Sequence, residues 1–184
     1  MKQKYSLVLL DRDGVINEKA PIHNYITLFN DFLFLPKSKQ ALSLLSSKYA
    51  LAVITNQRGI AKGLITLKDF HEITQKMLKE ISNSGGKIEK VYFCPHGENE
   101  CNCRKPKPGM IEKALSDFQL SPQQVVLLGD SFLDYQTAKN AGCDFIFINT
   151  PSDEQLSTLK KFKEAQVSSL TFPSLYEAAL FLTK

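Results

Sequence analysis

Apolar positions along this 184-residue chain follow two alternating rhythms. Short, nearly continuous runs rich in Val, Ile, Leu and Phe occupy Ser6–Leu10, Ala50–Ile54, Lys90–Phe93, Val125–Leu128 and Phe145–Ile148, as in strands buried on both faces. Between them the apolar residues recur at helical spacing: Ala41, Leu42, Leu44 and Leu45 within Ser38–Lys48, then Phe70, Ile73, Met77, Leu78 and Ile81 within Leu67–Ser82. Further helices are predicted over Gly109–Phe118, Phe132–Ala141, Asp153–Lys163 and Ser174–Leu182, the last just after Pro173. Strands alternating with helices predict an α/β fold of three layers around a parallel, Rossmann-like sheet, in one domain over residues 1–184. Ser82-Asn83-Ser84-Gly85-Gly86 reads as a turn and not as a linker. The least regular stretches, Asn17–Pro36 and Cys94–Pro108, follow predicted strands, and in open α/β sheets ligands bind beyond the carboxyl ends of strands.

Composition changes this picture little. With 43% hydrophobic and 23% charged residues the chain is ordinary for a soluble domain, and no apolar run approaches the roughly 20 residues of a membrane span. The run Leu7–Leu10 is too short for a secretory signal, so a cytoplasmic location is expected. A net charge of +4 would suit an anionic ligand, but the lysines are scattered, and the charge does not by itself identify nucleic acid.

The chemistry lies at the strand ends. Asp11-Arg12-Asp13-Gly14 leaves the first strand with two carboxylates two residues apart, which project to one side while Arg12 is expected to point elsewhere. Two such acids provide a candidate nucleophile and a candidate proton donor. Thr55-Asn56-Gln57 adds a hydroxyl and amides that can hold phosphate oxygens. Arg104-Lys105-Pro106-Lys107-Pro108-Gly109 supplies fixed positive charge before a predicted helix, and Gly129-Asp130-Ser131 with Asp134 adds acids at another strand end. Each segment alone has a bland explanation as a turn or a solvated loop; their order along the chain is what gives them force.

Together they resemble the four motifs of the haloacid dehalogenase superfamily of phosphotransferases, over roughly residues 6–150. The resemblance implies that Asp11 attacks phosphorus and that Asp13 protonates the leaving alkoxide and then deprotonates the attacking water. It implies that Thr55 and Lys105 hold the transferring group, with Lys107 as the alternative lysine in the same segment. Mg²⁺ is expected on the Asp11 carboxylate, the Asp13 backbone carbonyl and the Asp130 carboxylate, supported by Asp134. A cation is needed because a carboxylate meets like charge when it approaches a phosphate dianion.

Cys94, His96, Cys101 and Cys103 fall within ten residues and form the Cys₃His set suited to a tetrahedral structural Zn²⁺, whose folding would help place Arg104 and Lys105. Cys143 is expected to be a buried core thiol. This loop and its continuation through Met110 resemble the superfamily branch of histidinol-phosphate and heptose-bisphosphate phosphatases, which has little or no cap domain. Asp11–Asn17 and Thr55–Gly63 lean toward the heptose side. A monomer is expected; the resemblance implies action on a small phosphorylated metabolite, a sugar bisphosphate, with His23, Asn24, Tyr25, Asn56, Gln57, Arg58 and Arg104 lining the substrate site. Histidinol phosphate and a polynucleotide 3′-phosphate are the alternative substrates. A zinc knuckle that binds nucleic acid without catalysis is a further alternative, but it leaves Asp11, Asp13 and Asp130 unexplained.

Overall fold

The computed structural model describes residues 4–20, 24–150 and 153–184. Its elements in chain order are β1 (Leu7–Leu10), α1 (Ser38–Ser46), β2 (Ala50–Asn56), α2 (Arg58–Ala61), α3 (Leu67–Asn83), β3 (Lys90–Cys94), α4 (Gly109–Phe118), β4 (Val125–Gly129), α5 (Phe132–Ala141), β5 (Asp144–Ile148), α6 (Asp153–Glu164), β6 (Leu170–Phe172) and α7 (Leu175–Leu182). The six strands form one parallel sheet in the order β3-β2-β1-β4-β5-β6.

β1 shows why its sequence takes the centre. Leu7 to Leu10 are all fully buried, and successive side chains point to opposite faces. Val8 and Leu10 join a core with Val53, Leu128, Leu42, Leu45, Phe70, Met77 and Ala179, and so pack under α1, α3 and α7. Leu7 and Leu9 join a second core with Ile54, Leu127, Met110, Ile111, Ala114 and Ala138 under α4 and α5. Burying each such side chain contributes about 2 kcal/mol, so a polar residue in β1 would destabilise both layers.

Polar caps set the helix starts that matter for the site. The Thr66 hydroxyl accepts the Asp69 N–H and the Asp69 carboxylate accepts the Thr66 N–H, fixing the start of α3. Ser131 and Asp134 make the same reciprocal pair at the start of α5, which ends at Gly142 with φ +73°.

Two elements lie outside the sequence expectations. β6 has only three residues, two of them exposed, and carries no clear period. α2 is a single turn, too short to form on propensity; Gly59 there packs so closely that an added Cβ would lie 2.8 Å from the Tyr25 ring. β2 also runs two residues past its predicted end and β3 one past, so Thr55, Asn56 and Cys94 belong to strands, while α1 stops at Ser46.

From β1 the chain builds outward through β2 and β3 on one side and through β4, β5 and β6 on the other. The reversal leaves a crevice beyond the carboxyl ends of β1 and β4, which is where Asp11 and Asp130 emerge.

Candidate active site

Asp11 follows β1 directly, and its backbone N–H continues the ladder to Leu128 O at 2.9 Å. Its carboxylate Oδ1 accepts the Arg12 N–H at 2.8 Å and lies 2.8 Å from Lys105 Nζ. The same ammonium lies 2.6 Å from Asp134 Oδ1, so one buried lysine bridges two carboxylates. Burial lowers the lysine pKa, but Asp11 and Asp134 outweigh it and hold Lys105 protonated. Burial pushes Asp11 upward, Lys105 opposes the shift, and Asp134 and Asp130 add to it.

Lys105 comes to this position because its backbone is held from β2: its N–H donates to Asn56 Oδ1 at 3.1 Å, and Asn56 Nδ2 donates to its carbonyl at 3.3 Å. Lys107 turns away and donates to Cys101 O at 2.6 Å. The geometry thus brings Lys105, and not Lys107, to Asp11. Asp134 is wholly buried, and its second oxygen accepts the Ser131 N–H at 3.1 Å, so the partner of Lys105 is also the cap of α5. Gly129 makes this possible, since a Cβ there would stand 2.4 Å from Asp134 Cβ.

Asp11, Asp130 and Asp134 each place a carboxylate oxygen within 4.8 Å of the others. Asp130 is 2% exposed; Gln155 Nε2 donates to its carbonyl at 3.0 Å, Lys19 Nζ lies 2.7 Å from Oδ2, and Oδ1 is buried with no hydrogen-bond partner. An all-oxygen cluster with an orphaned buried carboxylate oxygen fits a hard divalent cation. Burial also pushes Asp130 up to about 6, with Lys19 opposing the shift. The Asp13 carboxylate lies outside this group.

The Asp13 carboxylate is held by Arg12, Asn17 and Gln57, a role the sequence reading gave to none of them. Arg12 Nη2 lies 3.0 Å from it, Asn17 Nδ2 donates to it at 2.9 Å, and Gln57 Nε2 donates at 3.3 Å. The expectation that Arg12 points elsewhere is corrected: its side chain is 3% exposed and folds back to Asp13 over the Phe32 and Phe70 rings. Burial of a guanidinium requires a carboxylate, and the adjacent one is within reach. Thr55, buried at the end of β2, accepts from Gln57 Nε2 at 2.8 Å. Arg12, Asn17, Lys19 and Gln155 carried no spacing signal, because the first three share the irregular loop after β1 and Gln155 reaches the site from α6.

Among the substrate-lining expectations, His23 lies outside the described residues. Asn24 and Tyr25 line a cavity of about 410 Å³ together with Lys19. Arg58 pairs with Glu98 at 2.7 Å, and Arg104 Nη1 donates to His96 O at 3.5 Å, so both arginines reach toward the cysteine loop. Within that loop Cys94 Sγ lies 3.5 Å from Cys101 Sγ and 3.7 Å from His96 Nδ1. Cys103 Sγ lies 3.3 Å from Cys101 Sγ and 3.5 Å from His96 Nδ1. Donors about 3.8 Å apart are what a tetrahedral Zn²⁺ with bonds near 2.3 Å requires, so the set fits that ion. The Arg104 N–H donates to Cys101 Sγ at 3.3 Å, tying the loop to the segment that carries Lys105.

Residues 10–148 match the family model of the haloacid dehalogenase-like hydrolases. The chain belongs to the haloacid dehalogenase-like hydrolases. Among curated relatives of this family, a D-glycero-alpha-D-manno-heptose-1,7-bisphosphate 7-phosphatase of Campylobacter jejuni is 35% identical, over 87% of this chain and 91% of its own length. A D-glycero-beta-D-manno-heptose-1,7-bisphosphate 7-phosphatase of Neisseria meningitidis is 37% identical, over 74% and 73%. Among solved hydrolases of the family, the D,D-heptose 1,7-bisphosphate phosphatase of B. bronchiseptica, complexed with magnesium and phosphate, superposes with a TM-score of 0.86. It is 31% identical and covers 96% of this chain and 97% of its own. Among the described residues, no helix is long and apolar enough to cross a membrane.

Proposed function

We propose that this hydrolase removes the 7-phosphate of D-glycero-D-manno-heptose 1,7-bisphosphate through an aspartyl-phosphate on Asp11. The observation that carries the mechanism is the Lys105 ammonium bridging Asp11 Oδ1 and Asp134, with the Asp13 carboxylate held two residues away by Arg12, Asn17 and Gln57. The relatives' activity supports the substrate.

Among the described residues the Arg12 N–H and the Lys105 ammonium both meet Oδ1 of the nucleophile, so Oδ2 is assigned the attack on phosphorus. As Asp11 Oδ2 bonds to phosphorus, the bond from phosphorus to the sugar oxygen breaks and protonated Asp13 delivers its proton to the departing alkoxide. Asp13 then takes a proton from water as that water attacks the acyl phosphate, which releases inorganic phosphate and regenerates Asp11. Lys105 and the Thr55 hydroxyl bind phosphate oxygens; Lys105 also orients the carboxylate. Asp11, Asp130 and the Asp13 carbonyl would hold Mg²⁺, with Asp134 supporting. When bound, the ion offsets the repulsion between carboxylate and phosphate and stabilises charge on the transferring group.

Cys94, His96, Cys101 and Cys103 would hold a structural Zn²⁺ that shapes the wall beside the phosphate site. Arg58, Arg104 and the Asn24–Tyr25 segment then face the rest of the sugar. Measuring kcat/KM with Mg²⁺ on both anomers of the heptose bisphosphate, on histidinol phosphate and on a DNA 3′-phosphate tests the proposal. A clear preference for the heptose bisphosphate is expected; a preference for either of the others would overturn it.

A further inference from the structure

We propose that Lys19 is a built-in counter-ion of Asp130 that Mg²⁺ must displace on binding, so that this lysine sets how tightly the hydrolase holds its metal. The inference rests on the reading of Asp130 as a metal ligand.

The lysine is placed by the loop that leaves β1. Gly14, at φ +95°, turns the chain back so that its N–H donates to Asn17 O at 2.7 Å, and the Glu18 N–H donates to Leu33 O at 2.8 Å. The Lys19 stem then crosses over Gly14: a Cβ there would stand 2.7 Å from Lys19 Cε and 2.1 Å from Asp130 Oδ2. The path exists only because residue 14 lacks a side chain. At its end Nζ lies 2.7 Å from Asp130 Oδ2.

The two partners differ in their surroundings. The Asp130 side chain is 3% exposed and the Lys19 side chain 36%, so the carboxylate is fixed and the ammonium is at the rim. A buried carboxylate needs a compensating charge, and Lys105 is engaged by Asp11 and Asp134. Lys19 provides that charge before metal arrives. A divalent ion on Asp130 Oδ1 would sit within a few ångströms of the ammonium on Oδ2, and the two cations repel strongly at that range. The way out is at hand. Lys19 also lines the cavity of about 410 Å³, where Glu18 and Asp31 supply carboxylates.

The test uses the zinc-loaded full chain, freed of Mg²⁺ by gel filtration without a chelator, and needs no substrate. Thermal unfolding and calorimetric titration with MgCl₂ are compared for the wild type, Lys19→Met and Lys19→Arg. In Lys19→Met the metal-free Tm is expected to fall, the Mg²⁺ dissociation constant to drop about three- to ten-fold, and the Tm rise on adding Mg²⁺ to grow. Lys19→Arg, which keeps the charge, should stay within about two-fold of the wild type. Should Lys19→Met fail to fold, Lys19→Gln carries the same expectations. Unchanged or weaker Mg²⁺ binding in the neutral variant, or an equal loss of Tm with and without Mg²⁺, would overturn the inference. No Mg²⁺-dependent shift in the wild type would overturn the metal reading of Asp130 itself, and this inference with it.

Discussion

One Asp11 oxygen is occupied by Lys105 Nζ and the Arg12 N–H, an orientation that suits the other oxygen to the proposed attack. Replacing Lys105 with alanine removes a buried cation shared by two carboxylates and, under the proposed mechanism, a phosphate ligand as well. Turnover under saturating substrate is expected to fall by about 100-fold or more. Lys107→Ala should leave kcat within a few-fold and show mainly as a lower Tm, because Lys107 serves the Cys101 carbonyl. The reverse ranking in steady-state kinetics would place the phosphate on the other lysine. At this scale the sequence was legible where chemistry is contiguous. Asp11, Asp13, Asp130 and Asp134 sit in short strings at strand ends. Arg12 was misread, since alternation along an extended strand stops where Gly14 turns the chain. Gln155 was missed because its contact with Asp130 spans 25 residues and a whole βα unit.

Lys105 is held by Asn56 on β2, which bonds its backbone, and it follows the loop from Cys94 to Cys103, tied to Arg104 through Cys101 Sγ. If the loop holds the proposed Zn²⁺, stripping it with a strong chelator and assaying with Mg²⁺ restored should lower kcat/KM by about ten-fold or more, since shifts near 1 Å at a reacting group cost rate factors of that order. Thiol counting gives an independent check. Burial pushes the Cys143 thiol up to about 12, so at pH 8 the loaded protein should show no thiol reactive toward a disulfide reagent. The stripped protein should gain reactive thiols, the partly exposed Cys101 first, and the unfolded chain should show four. Early reaction of Cys143 would contradict its burial beneath α5. The central strands were readable from their unbroken apolar runs, which only burial on both faces explains. β6 was not, because three residues at a half-exposed sheet edge leave no pattern, and α2 is held by its contact with Tyr25.

Across the whole molecule, parallel order around β1 gathers four sequence segments at one rim, and acid stability depends on carboxylates far from that rim. Asp117 on α4 meets Lys113 at 2.8 Å, Lys90 of β3 at 2.9 Å and the Tyr92 hydroxyl at 2.9 Å, and hydrogen bonds from Lys113, then Lys90 and Tyr92, hold its pKa below the ordinary value. A carboxylate depressed in the folded state adds stability above its unfolded value, about 3.9, and loses it as pH falls through the folded value. The Tm gap between wild type and Asp117→Asn should therefore be present at pH 7 and shrink below about pH 4; a gap independent of pH would show that charge is not its source. The sequence did not reveal the order of the strands, which is set by how the two cores pack and not by any local signal. The close approach of Gly129 to Asp134 has a consequence for how such a molecule can diversify. A strand end packed as closely as Gly129 against Asp134 has no room for a new side chain, so substrate preference is expected to vary in the exposed loop positions beyond the strands, such as residues 98–100. Exchanging only residues 24–25 and 98–100 between relatives, which spares Asn17, Lys19 and the Cys and His residues, should shift selectivity while leaving the phosphate chemistry where it is.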